Sequence, residues 1–175
     1  MASLKLETAS EYLFEKGSKT MQRIVARVVI GLATTAIAMF GADIMLGTWK
    51  FNAAMSKSTS SNPIKSRTEV WESTPDGGVK VTRAEQWADG STINASYAFK
   101  YDGKEYPVTG APWDTIAVTR LDTHTTRFEI KKTGGKLHIT GRNSISKDGK
   151  TKTLNSNGTD AQGRAVHSTT VFDRQ

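Results

Sequence analysis

From residue 75 onward the chain is cut at short, fairly even intervals by turn-forming glycines. They occur as PDGG at 75–78, ADG at 88–90, YDG at 101–103, TGG at 133–135, KDG at 147–149 and AQG at 161–163. Asp-Gly and Gly-Gly pairs supply the positive φ angles that tight hairpin turns require. Between the turns lie β-branched and aromatic residues repeating with period two, the pattern of half-buried strands. In STINASYAFKY, Ile93, Ala95, Tyr97, Phe99 and Tyr101 share one face, and Thr92, Asn94, Ser96, Ala98 and Lys100 share the other. In HTTRFEIKK, Thr126, Phe128 and Ile130 stand opposite Arg127, Glu129 and Lys131.

The pattern predicts about ten strands, near 47–52, 64–72, 78–86, 91–101, 104–108, 114–121, 124–132, 136–145, 150–157 and 164–173. Short connections make sequence neighbours antiparallel neighbours in space. Nothing after residue 47 carries a helical period, and the longest loop is the serine-rich stretch 52–63, a lid or simple slack. A long meander loses its exposed edges most simply by closing on itself. The expected fold is therefore all-β, an antiparallel up-and-down barrel of about ten strands. A two-sheet sandwich is the alternative, and it calls for longer crossing connections.

The first of these strands opens with Gly47-Thr48-Trp49-Lys50. A G-x-W motif on the first strand of a meander resembles the lipocalin and fatty-acid-binding protein superfamily. The resemblance implies that Trp49 plugs the closed end of the barrel and that a late basic residue packs over it, Arg174 first and Arg164 second. GTWKFN, YDGKEYPVTG, SKDGKT and GTDAQGRAV further resemble small exported bacterial lipocalin-like proteins. The chain departs from fatty-acid-binding proteins in lacking a helical hairpin after the first strand, and from lipocalins in their later loop motifs.

Candidate ligand-binding residues are Arg83 and Arg120, which follow Val79 and Val81, and Ile116 and Val118, at period two. On an inward face a guanidinium would meet a ligand carboxylate bidentately; near a strand end it would reach out to water instead. Tyr97, Phe99, Tyr101 and Phe128 are either cavity wall or core. Glu69, Glu72, Glu85 and Asp114 are mid-strand or turn carboxylates, expected on the solvated face. Trp71, Trp87 and Trp113 could stack nucleic-acid bases, but no basic loop or run accompanies them, and the net charge of +7 is dispersed.

The chain has no cysteine, which excludes disulfides, thiolate metal sites and cysteine nucleophiles. His124, His138 and His167 lack metal-ligand spacing, and no serine sits in a nucleophile elbow. No cofactor, metal or catalytic activity is expected.

Residues 21–42, MQRIVARVVIGLATTAIAMFGA, place Arg23 and Arg27 before an apolar run that ends in Ala36-Ile37-Ala38. The run over 28–42 is 15 residues, short of the ~20 needed to span a bilayer. It reads as a signal peptide cleaved after Ala38, with Met21 the true start and residues 1–20 an over-extended beginning. The alternatives are a helix retained as a membrane anchor through residues 24–45 and a soluble structural helix. The expectation is thus an N-terminal extension and signal peptide over 1–38, carrying an apolar helix, and an exported, periplasmic or secreted lipocalin-like barrel over 39–175. Its expected role is non-catalytic binding of a small apolar or amphipathic molecule, without nucleic acid and with membrane contact only if the N-terminal segment stays. The alternative is a structural or interaction protein with a filled barrel, tethered by its N-terminal helix to a membrane or larger complex.

Overall fold

The computed structural model describes residues 43–175, so the expected N-terminal helix lies outside the described residues up to residue 42. Residues 43–45, which the anchor reading assigns to that helix, form a turn packed onto the barrel, with Met45 fully buried.

Eleven strands follow: β1 (Gly47–Phe51), β2 (Lys57–Ser58), β3 (Ile64–Ser73), β4 (Val79–Trp87), β5 (Thr92–Phe99), β6 (Asp102–Thr109), β7 (Thr115–Arg120), β8 (Thr125–Lys131), β9 (His138–Ile145), β10 (Thr151–Thr159) and β11 (Ala165–Arg174). Every pairing is antiparallel, from β3 through β11 in chain order, and β1 pairs with both β3 and β11 to close the barrel. The short β2 pairs with β11 at Ser168 and Thr169, beyond the stretch that β1 occupies. β1 and β2 therefore form one stave broken in the middle, which makes a ten-stave barrel of eleven strands.

The break is held in place. Asn52 N–H donates to Val171 O at 2.8 Å, and Val171 N–H donates to Ser56 Oγ at 2.9 Å. The turn between the two halves thus stays hydrogen-bonded to β11, and the loop expected over 52–63 is part of the wall. The thinnest seam is β5–β6, paired only at Ser96–Thr109 and Tyr97–Val108. β6 is bulged between Asp102 and Glu105, and Pro107 offers no N–H to a ladder. β5 ends at Phe99, so Tyr101, expected on that strand, lies in the turn.

Inside, period-two burial runs as expected: Val79, Val81, Arg83 and Glu85 on β4 and Ile93, Ala95, Tyr97 and Phe99 on β5 are all buried. Gly141 on β9 lies directly opposite Phe128. A Cβ there would come within 2.6 Å of the Phe128 ring and 2.3 Å of Asn155 O, so only glycine admits the phenyl group.

One end of the barrel is sealed by the residues leading into β1. Trp49 is fully buried, and its Nε1 donates to Met45 O at 2.9 Å. The Arg174 guanidinium lies 4.2 Å from the Trp49 ring centre. Its nitrogens donate to three carbonyls, of Ile44, of Leu46 at 2.6 Å and of Gly149 at 2.6 Å. Gly47 has φ +122°, and a Cβ on it would meet Arg174 Nη1 at 2.5 Å. The glycine and the tryptophan of the G-x-W opening that the resemblance singled out thus have their reasons: the glycine makes room for the arginine that the tryptophan carries. Arg164 lies in the β10–β11 turn, paired with Asp160 at 2.7 Å.

Replacing Trp49 with alanine empties the sealed end and is expected to cost about 3–5 kcal/mol of stability. Arg174→Lys keeps the charge but cannot reach three carbonyls, and should cost roughly 1.5–3 kcal/mol. Urea midpoints of the two variants against the parent chain measure both, and an unchanged midpoint for Arg174→Lys would remove the arginine from its sealing role.

Candidate functional site

At the end away from Trp49 the barrel encloses a cavity of about 370 Å³, within the ~300–1,000 Å³ typical of small-molecule sites. Turn residues Ala53, Ser60, Pro63, Pro112 and Asp160 stand around it. Trp87, Ile116, Val118, Phe128, Ile139 and Leu154 give it an apolar wall. Its polar pole is formed by Arg67, Glu69 and Arg83 beside Tyr97 and Trp113.

That pole arises from strand register. β3 and β4 place Arg67 directly opposite Glu85 and Glu69 directly opposite Arg83, two cations and two carboxylates alternating on the inward face. Arg67 Nε donates to Glu85 Oε2, as do Arg83 Nε at 2.9 Å and Arg83 Nη2. Lys152 on β10 reaches across to Glu69 Oε2 at 2.6 Å, where Trp71 Nε1 also donates at 3.1 Å. The Lys152 ammonium sits 4.5 Å from the Phe172 ring centre, 4.6 Å from Trp71 and 5.2 Å from Trp49, an aromatic cage that compensates part of its lost hydration.

Glu69 and Glu85 therefore correct the expectation that mid-strand carboxylates face water; both are buried because cations opposite them share the inward phase. Glu72 is exposed, and Asp114 is tied to the Thr133 N–H at 2.9 Å. Arg67 and Lys152 were missed by the sequence reading. Their signal was phase: Arg67 shares a face with Glu69 and Trp71, and Lys152 with Leu154.

The cluster holds three cations and two carboxylates, and the imbalance shows in its acidities. Burial alone would raise the Glu69 carboxyl, but Lys152, Arg67 and Arg83 around it more than reverse that and hold it down at about 2. Burial lowers Lys152, and Glu69 restores only part of the loss, leaving it at about 8. Burial likewise pushes the Tyr97 hydroxyl up, so it stays protonated. Two buried polar atoms at this pole have no hydrogen-bond partner among the described residues, Glu85 Oε1 and Trp113 Nε1. The Arg83 guanidinium lies 4.8 Å from the Trp113 ring centre.

Of the residues singled out from sequence, Arg83, Tyr97 and Phe128 come together around the cavity. Phe99 lies deeper, packed between Trp71 at 5.9 Å and Tyr101 at 5.5 Å between ring centres. Arg120 is not inside. It sits at the sealed end, 3.8 Å above the Tyr101 ring, and pairs with Asp43 at 2.5 Å. Asp43 also accepts from Tyr101 Oη at 2.8 Å, so Arg120 and Tyr101 fasten the chain leading into β1 rather than lining the cavity. Trp71 and Trp113 are buried on the inward side and present no stacking surface outside.

Because the folded state holds fewer protons on Glu69 than the unfolded chain between about pH 4.5 and 2, stability is expected to fall as pH falls through that window. Lys152 works at the other end. Between about pH 8 and 10.5 the unfolded chain keeps a proton that the folded state has released, so its contribution rises with pH. Glu69→Gln should cost about 3–5 kcal/mol by stranding the lysine and should flatten the acid slope. Urea titrations at pH 3, 4.5, 7 and 9 read both effects, and an acid slope unchanged in Glu69→Gln would move the titration to another carboxyl.

Neither a protein-family model nor a curated protein matches this sequence. Among solved structures it is similar to the fluorescent protein UnaG, wild type, at 13% identity and a TM-score of 0.50, covering 75% of this chain and 97% of that one. It is also similar to the S-type phycobiliprotein lyase CPES from Guillardia theta, at 8% identity and a TM-score of 0.50, covering 75% of this chain and 89% of that one. At these identities the likeness is one of fold alone, a closed antiparallel β-barrel.

Proposed function

We propose that this protein is a non-catalytic binder of a small amphipathic anion, held in the barrel with its apolar part against Phe128, Ile116 and Leu154 and its charged group towards Arg83 and Trp113. The observation that carries this reading is the cationic excess at one pole of an otherwise apolar cavity. Burying apolar surface there contributes about 25 cal/mol per Å². An oxyanion supplies the acceptor that Trp113 Nε1 lacks and balances the third cation. The open volume favours this reading over a barrel filled by its own side chains.

The same chemistry argues against catalysis. A carboxyl held at about 2 is a weak base, and Glu85 is engaged by two guanidiniums. The export reading belongs to the proposal: cleavage after Ala38 leaves a chain beginning at Met39, and the G-T-W geometry supports a place among small exported bacterial lipocalin-like proteins.

Native mass spectrometry of the full chain, expressed in bacteria and recovered gently, tests these points together. A mass beginning at Met39 and an adduct lost on organic extraction are the expected results; retention of residues 1–38 replaces export by anchoring. For affinity, decanoate should displace anilinonaphthalene sulfonate at one site per chain, and decyltrimethylammonium should not. Trp113→Phe, which keeps an aromatic ring and removes the donor, should weaken decanoate roughly 2–12-fold, the worth of one hydrogen bond. No uptake of either anion would leave the filled, structural barrel as the better account.

A further inference from the structure

The outer face of β8 to β11, continued by β2, carries a second concave surface of about 870 Å³. It shares Lys57, Ser58, Ser156 and Ser168 with the rim of the cavity inside, while Arg127 and Arg142 line the outer surface alone. Arg127 on β8 and Arg142 on β9 stand directly opposite each other in the ladder, and Lys57 on β2 lies three staves further round. All three are exposed, and none makes an ion pair or a side-chain hydrogen bond among the described residues. Like charges directly opposite on neighbouring strands repel and cost stability. The adjacent outward charges on these strands have partners: Glu129 is hydrogen-bonded to His138 at 2.7 Å, and Lys131 is paired with Glu105. No carboxylate lines the surface around the two arginines.

Between the arginine pair and Lys57, about 14 Å at the usual strand spacing, the floor is made of uncharged hydroxyl and amide groups, chiefly Thr140, Asn155, Asn157 and Thr169. The one ring among its lining residues is the His167 imidazole; no tryptophan, tyrosine or phenylalanine lines it as a stacking platform for bases, and no aliphatic side chain that could enter a bilayer does. The matching ligand is polar along its length and carries anions at intervals. We propose that this face binds an acidic polysaccharide, with Arg127 and Arg142 clamping one carboxylate or sulfate group, Lys57 meeting a second, and the asparagine and threonine side chains bonding the sugar hydroxyls between them.

Binding of polygalacturonate and of heparin to the full chain, followed by calorimetry at 50 mM salt, tests the assignment. At least one should bind, more weakly at 200 mM salt, while neutral dextran should not. The double variant R127T/R142T should lose at least tenfold in affinity for whichever binds. It relieves a repulsion, so it should melt no lower than the parent and still bind decanoate, which separates loss of this site from loss of the fold or of the cavity. Absence of binding to both polysaccharides overturns the proposal. So does a loss no greater than twofold in the double variant, or tighter, arginine-dependent binding of a duplex oligonucleotide, which would assign the face to nucleic acid.

Discussion

Lys152 brings an ammonium group into the barrel interior with 1% of its surface exposed, and the one carboxylate oxygen that accepts its hydrogen bond is Glu69 Oε2. A buried charge in that position is tolerable only if its partner is fixed. Glu69 is fixed by what surrounds it: Trp71 Nε1 on the same oxygen, Arg67 on its own strand and Arg83 opposite on the next. Those arginines are anchored in turn on Glu85. β3, β4 and β10 are thereby tied through the interior, in addition to their ladders along the wall. A slip of β3 against β4 by one residue would turn Arg67 and Glu69 outward and strand Arg83, Glu85 and Lys152 inside, so the ion pairs specify register more sharply than apolar packing alone.

The sealed end depends on a different device. Arg174 brings the last strand and the residues before the first onto one guanidinium, and Arg120 with Tyr101 holds Asp43 a short distance away. Burial alone would raise the Asp43 carboxyl, but its hydrogen bonds to Arg120, Met45 N–H and Tyr101 keep it below the usual carboxylate range. Closure of the barrel between β1 and β11 is thus reinforced where the wall is most crowded. The other end is left to turns, and that is where the cavity lies.

Much of this was legible in the chain because hairpin chemistry is local. Asp-Gly and Gly-Gly pairs and period-two apolar faces need no partner to be recognised, and the G-T-W opening located the sealed end. The misreadings share a different cause. Glu69 and Glu85 look like solvated charges until β3 is set against β4 and each acquires an arginine. Arg120 looks like Arg83 by phase, yet it stands at the last position of β7, where its side chain clears the rim and finds Asp43, 77 residues earlier. The pairing of Arg127 with Arg142 is likewise a fact of register, since residues 15 apart form no run. Non-local pairing is what a pass along one chain does not contain.

The interior cluster has two ways of shedding its surplus charge. One is loss of the Lys152 proton, which burial and the neighbouring arginines already bring down to about 8. The other, on the proposed function, is arrival of an anion at the Arg83 pole. The two compete, because an anion in the cavity stabilises every cation beside it and raises the pH at which the lysine lets go. By linkage, an anionic ligand bound near pH 8 takes up part of a proton, and raising the pH past that point weakens its hold. A neutral amphiphile would show no such coupling. Lys152 does not line the cavity, yet through Glu69 it sets how much positive charge the cavity presents.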